Sequence, residues 1–207
     1  VYAKISIYDY NHYISYLQRL AERIKERFQM AIIKERKARH EVALFVIALS
    51  AFVAYYNSLN NPFLFDDVYA IVANPHIRQA GSIPRFFVDP GTFSAFPEAR
   101  MYRPILLLTY FMNHAVGGYQ PVGWHLTNLF IHIITSLLVY FFIYRLFKNH
   151  AASLLLALLF ALHPVNAEGM NFLSSRAAVM GGAFFLGSFY LYMISGGEKR
   201  YHLALSS

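Results

Sequence analysis

The stretch VALFVIALSAFVAYYNSL, residues 42–59, contains no charged side chain. A bilayer core is crossed by roughly 20 predominantly apolar residues in one helix, so this run reads as a membrane span. Residues 124–147 (WHLTNLFIHIITSLLVYFFIYRLF) are uncharged until Arg145, and residues 177–194 (AAVMGGAFFLGSFYLYMI) are uncharged throughout. The last run holds Gly181, Gly182 and Gly187, small residues that let helices approach closely in lipid. Residues 151–162 (AASLLLALLFAL) are short for a span and meet His163-Pro164. That third span is expected to be buried among other helices or to continue past the proline. Residues 104–116 (PILLLTYFMNHAV) are also too short to span comfortably, contain Asn113 and His114, and read as a re-entrant or interfacial helix. The expected class is an all-α polytopic membrane protein with about four transmembrane helices.

Composition agrees with that class. Of the 207 residues, 57% are hydrophobic and 14% charged, where a soluble domain carries roughly a quarter charged. Mean hydropathy is +0.37. Cysteine is absent, which excludes a disulfide framework, a thiolate nucleophile and a Cys-ligated zinc. A net charge of +7 would suggest a nucleic-acid partner on a soluble surface, but here the basic residues follow the spans, and no nucleic-acid partner is expected.

Lys and Arg accumulate on the cytoplasmic side of membrane proteins. Lys4, Arg19, Arg23, Lys25, Arg27, Lys34, Arg36, Lys37 and Arg39 precede the first span; Arg145 and Lys148 lie between spans two and three; Lys199 and Arg200 lie in the tail. Arg78, Arg85, Arg100, Arg103 and Arg176 fall on the other side. The bias places both termini in the cytoplasm and loop 60–103 on the outer or lumenal side. It divides the chain into a basic arm (1–41), a transmembrane module (42–195) and a tail (196–207). In the arm, Leu17, Leu20, Ile24 and Phe28 recur at helical spacing among basic residues. This makes an amphipathic helix suited either to an anionic leaflet or to a partner. No run resembles a cleavable signal peptide.

Polar groups gather at the outer ends of the spans. Asp66-Asp67 follow the first span, where one carboxylate can act as a general base or an acid can serve a helix N-terminus. Arg100 and Arg103 flank Tyr102 at the foot of the short helix, as phosphate ligands or interface anchors. His125, Asn128 and His132 are three and four apart and form one structural polar stripe on the second span, facing the interior or a cavity. His163 and Glu168 close the third span, and Arg176 opens the fourth, so Glu168 and Arg176 can form an ion pair. Two histidines seven apart make no metal site by themselves.

These motifs resemble, in order, those of the transmembrane and tetratricopeptide-repeat-containing O-mannosyltransferases of the GT-C superfamily. The resemblance lies in Phe65-Asp66-Asp67, Asn74-Pro75-His76-Ile77, Tyr102-Arg103-Pro104-Ile105, His163-Pro164 with Glu168, and Ser175-Arg176-Ala177. Gly118, Pro121, Gly123, His125, Asn128 and His132 follow the same family's spacing. The match runs from about residue 60 to 180. It implies transfer of mannose, with inversion, from a polyprenyl-phosphate carrier to a Ser or Thr hydroxyl. Asp66 or Asp67 would be the catalytic base. Arg103, His163, Glu168 and Arg176 would bind substrate or lipid phosphate. A divalent cation is allowed but not demanded. Ala178 stands where the family commonly has an acid, and Ser175 where it has glycine.

The chain carries no tetratricopeptide repeat and fewer spans than such enzymes. It is therefore expected to be either the N-terminal part of a longer transferase or a non-catalytic transmembrane subunit of a larger membrane complex. Membrane lipids and other membrane-protein subunits are the expected partners.

Overall fold

The computed structural model describes the backbone of residues 7–195 and side chains from residue 15. Lys4, Lys199, Arg200 and the tail 196–207 lie outside the described residues. The chain divides into two compact units, Val1–Ala43 and Leu44–Ser207. The described residues contain helices and turns without strands: α1 (Ile7–Tyr55), α2 (Ile83–Phe86), α3 (Pro104–Gly117), α4 (Pro121–Phe147), α5 (His150–Ala161), α6 (Ala167–Asn171) and α7 (Arg176–Ile194). Among the described residues three helices are long and apolar enough to cross a membrane. A fourth crossing is available if α5 and the segment Pro164–Asn171, bent by 46°, count as one span. The fold is the expected all-α polytopic class.

In the first unit α1 is a solvated helix. Ile24, Phe28 and Ile33 are exposed. The charges pair along the helix, Arg39 with Glu35 at 2.6 Å and Lys37 with Glu41 at 3.8 Å. No break separates the amphipathic stretch from the apolar one; α1 is a single helix of 49 residues.

In the second unit α4 is central and packs on α5 and α7. Its 27 residues reach about 40 Å at 1.5 Å per residue. Lys148, in a left-handed conformation (φ 53°), ends α4. Asn149 then caps α5 by accepting from the Ala152 N–H, which makes a tight antiparallel turn. α5, at 12 residues, spans only about 18 Å, and Pro164 cannot continue its hydrogen-bond ladder. That is why the third span bends. On α7, Gly182 and Gly187 face Thr135 and Leu138 of α4, where an added Cβ would meet them at 4.0 and 3.8 Å. Gly181 has open space around it.

α3 has 14 residues, about 21 Å, and is not among the helices long enough to cross. Gly118 ends it at φ +56°, its N–H donating to the His114 carbonyl.

Segment 60–103 is a chain of short turns over its own core. Ile71, Ile77, Phe86 and Phe93 pack with Leu107, Tyr110, Trp124 and Leu173. Asn74 knits the segment together from the inside. Its buried amide donates to the Ala70, Thr92 and Phe93 carbonyls at 3.0–3.2 Å, and its oxygen accepts from the His76 N–H. The Asn-Pro-His-Ile motif thus has a packing explanation.

Candidate functional site

The end of α1, the start of α4 and the junction of α6 and α7 meet at one end of the second unit. Asn61 donates from its amide to the Asn171 side-chain oxygen at 3.0 Å. His125 sets Nδ1 2.9 Å from the Met170 carbonyl and Nε2 3.1 Å from the Asn61 carbonyl. Asn128 donates to the Gly169 carbonyl, and His132 Nε2 lies 2.9 Å from the Ala161 carbonyl. All three residues of the polar stripe are buried. They tie carbonyls freed by the breaks in α1, α5 and α6, groups that would otherwise be left unsatisfied in an apolar interior.

The two aspartates have opposite surroundings. Asp67 is fully buried. Its carboxylate accepts from the backbone N–H groups of Leu64 (3.2 Å), Leu173 (3.2 Å) and Ser174 (2.6 Å). It therefore staples the loop after α1 to the turn before α7. Asp66 is exposed and lines a groove of about 710 Å³. Arg103, Ser174 and Ser175 line the same groove, as do Tyr69 and Phe96, whose rings lie 4.2 Å apart. The lining also includes apolar side chains, Ile105 and Leu106 from α3 and Met180 and Phe184 from α7. Neither Asp66 nor Arg103 belongs to an ion pair among the described residues. Arg103 is exposed and rests its guanidinium 5.4 Å from the Phe93 ring centre.

The remaining candidates lie elsewhere. Arg176 turns inward and has no solvent exposure. Its Nε donates to the Asn128 side-chain oxygen at 2.6 Å. Nη1 donates to Thr109 and Asn113 at 3.0 and 2.7 Å, and Nη2 to the Trp124 carbonyl at 3.0 Å. The rings of Tyr110 and Trp124 lie 5.0 and 5.6 Å away. The guanidinium joins α3, α4 and α7 and does not line the groove. Glu168 makes no ion pair with it and accepts instead from the Ser175 hydroxyl at 3.3 Å. His163 Nδ1 accepts from the Val165 N–H and caps the turn after α5. Among the described residues no three His, Asp or Glu side chains gather to hold a metal ion.

Sequence reasoning passed over Tyr69 and Phe96 as groove residues. Their separation in the chain leaves no periodic signal, and only the folding of segment 60–103 joins them. It also passed over Asn74 as the loop's hub, though an Asn followed by Pro is a turn signal.

No family model matches the chain, and no solved structure matches it. Curated relatives do. The mouse protein O-mannosyl-transferase TMTC3 is 33% identical over 160 residues, covering 76% of this chain and 17% of that protein. Human protein O-mannosyl-transferase TMTC1 is 32% identical over 153 residues, covering 71% and 17%. Human protein O-mannosyl-transferase TMTC4 is 33% identical over 167 residues, covering 72% and 22%. The chain thus spans about a sixth to a fifth of the length of these relatives. Over that shared segment it belongs to the transmembrane and tetratricopeptide-repeat-containing family, the protein O-mannosyl-transferases.

Proposed function

We propose that this segment carries the acceptor base and part of the donor groove of a protein O-mannosyltransferase that uses a polyprenyl-phosphate mannose. The carrying observation is Asp66 in one groove with Arg103, two serines and a set of apolar side chains from α3 and α7. Apolar lining suits a polyprenyl chain. An unpaired arginine suits the phosphate that links lipid to sugar. Asp66 takes the proton of a Ser or Thr hydroxyl. The oxygen then bonds to the anomeric carbon from the face opposite the phosphate, and the carbon–oxygen bond to the phosphate breaks with its electron pair going to the lipid phosphate. Arg103 offsets the charge that builds there, and the anomeric centre inverts.

Asp67 already accepts three backbone N–H groups, so its part is to hold the loop that presents Asp66. Arg176 contributes to the site by holding α7, whose residues line the groove. The Lys and Arg distribution supports cytoplasmic termini and a groove mouth on the outer or lumenal side. The test is mannose transfer by the complete protein in native membranes. Asp66→Asn lowers the rate by about 10²- to 10⁴-fold, the usual worth of a general base. Arg103→Met lowers it as well and weakens donor binding. Undiminished transfer by Asp66→Asn would overturn the assignment of the acceptor base to this segment.

A further inference from the structure

Residues 64–67 form a tight turn in which the Asp67 N–H donates to the Leu64 carbonyl. The second residue of that turn, Phe65, has φ +48°. Left-handed backbone at such a position belongs to Gly, Asn or Asp. A bulky aromatic there is held in strain, and strain of this kind persists where surrounding structure over-determines it, typically beside a functional site. The over-determining contacts are present: Asp67 Oδ2 accepts from the Leu64 N–H across the turn, and Oδ1 accepts from the Ser174 N–H. Yet folding gains little from the side chain. Phe65 is 75% exposed, and its ring centre lies 5.8 Å from that of Phe172. Phe172 in turn lies just ahead of the Leu173 and Ser174 amides that Asp67 binds.

We propose that Phe65 is a specificity-determining residue that holds a polypeptide acceptor beside Asp66, using an aromatic surface shared with Phe172. The inference rests on the transferase reading above. The groove's lining from α3 and from further along α7 is largely apolar, whereas Asp66 follows α1 and Ser174 precedes α7. A lipid-linked donor lies along the helices. The acceptor then comes to Asp66 from the loop side, where an exposed ring on the adjacent residue meets it. Apolar side chains flanking the acceptor hydroxyl are the chemistry that such a surface recognises.

Glycine suits the backbone at position 65, so the strain and the ring can be removed together. The complete protein is assayed with polyprenyl-phosphate mannose and synthetic Thr peptides carrying either apolar or acidic flanking residues. Phe65→Gly raises the melting temperature. It raises the acceptor KM for the apolar peptides tenfold or more and leaves the donor KM within twofold. Phe65→Tyr keeps most of the acceptor affinity. An unchanged acceptor KM in Phe65→Gly, or a melting temperature that falls, overturns the proposal while wild-type transfer leaves the transferase reading standing. Absence of transfer by the wild type, with Asp66→Asn indistinguishable from it, overturns both.

Discussion

Asp66 and Asp67 are adjacent in the chain and have different environments. Alternative directions for neighbouring side chains follow from backbone geometry, but which carboxylate turns inward is decided by Leu173 and Ser174, more than 100 residues away. Asp67→Ala leaves three backbone donors without their acceptor. At about 1 kcal/mol or more for each, the loss is on the order of 3 kcal/mol, read as a lower melting temperature in detergent. Asp66→Asn leaves that temperature unchanged. Arg176→Lys keeps the charge but replaces a planar fork that makes four bonds with one ammonium. It destabilises the junction of α3, α4 and α7 by a similar amount, and equal stability of the two proteins would refute that role. The sequence pointed to Arg176 through its place at the head of a span. It could not show that the guanidinium turns toward α3 and α4, because the acceptors Thr109 and Asn113 lie on a short helix whose packing no periodicity reveals.

At the scale of elements, the breaks matter as much as the helices. α6 passes so close to α7 that a Cβ on Gly169 would stand 2.6 Å from Val179 Cγ2. Valine is stiff about its first torsion, so Gly169→Ala forces the two segments apart and lowers stability; the double change with Val179→Ala restores it. In segment 60–103, Asp89 accepts from the Arg85 guanidinium at 2.8 Å and from the Gly91 N–H at 2.9 Å. The Arg85 bond, and after it the Gly91 bond, holds the Asp89 carboxyl below its ordinary value. A depressed carboxyl stabilises the folded turn at pH above the ordinary value, and that contribution is lost as pH falls through the lowered one. The Gly91 amide resonance should therefore shift in acid, and Asp89→Asn should abolish the shift. The spans were legible because charge-free runs of such length have few other uses. The short turns of 60–103 were legible only as a long loop, because their order comes from Asn74 and from apolar residues without a regular spacing.

For the molecule as a whole, four segments converge at one end: the end of α1, the start of α4, and the segments on either side of the α6–α7 junction. This convergence fits alternating passage through a bilayer, and the unequal Lys and Arg counts are the basis for the proposed outer or lumenal face. Because the chain has no cysteine, single cysteines report sidedness directly. Val88, 77% exposed, and Lys37 are suitable sites. In sealed vesicles oriented as the cell is, a membrane-impermeant maleimide should label Val88→Cys without permeabilisation and Lys37→Cys only after it. The reverse pattern would invert the topology and place the groove mouth in the cytoplasm.

The neighbours of Arg176 also constrain when the fold can form. Thr109, Asn113, Trp124 and Asn128 all precede it in the chain, so during synthesis every acceptor is made before the cation that needs it. A ribosome delivering α7 into the membrane presents a charge whose cradle already exists in the nascent protein. The arginine can pass from the insertion machinery to its partners without residing alone in hydrocarbon. Assembly of the bundle thereby acquires a direction in time, from α3 and α4 to α7, written by nothing more than the order of the residues.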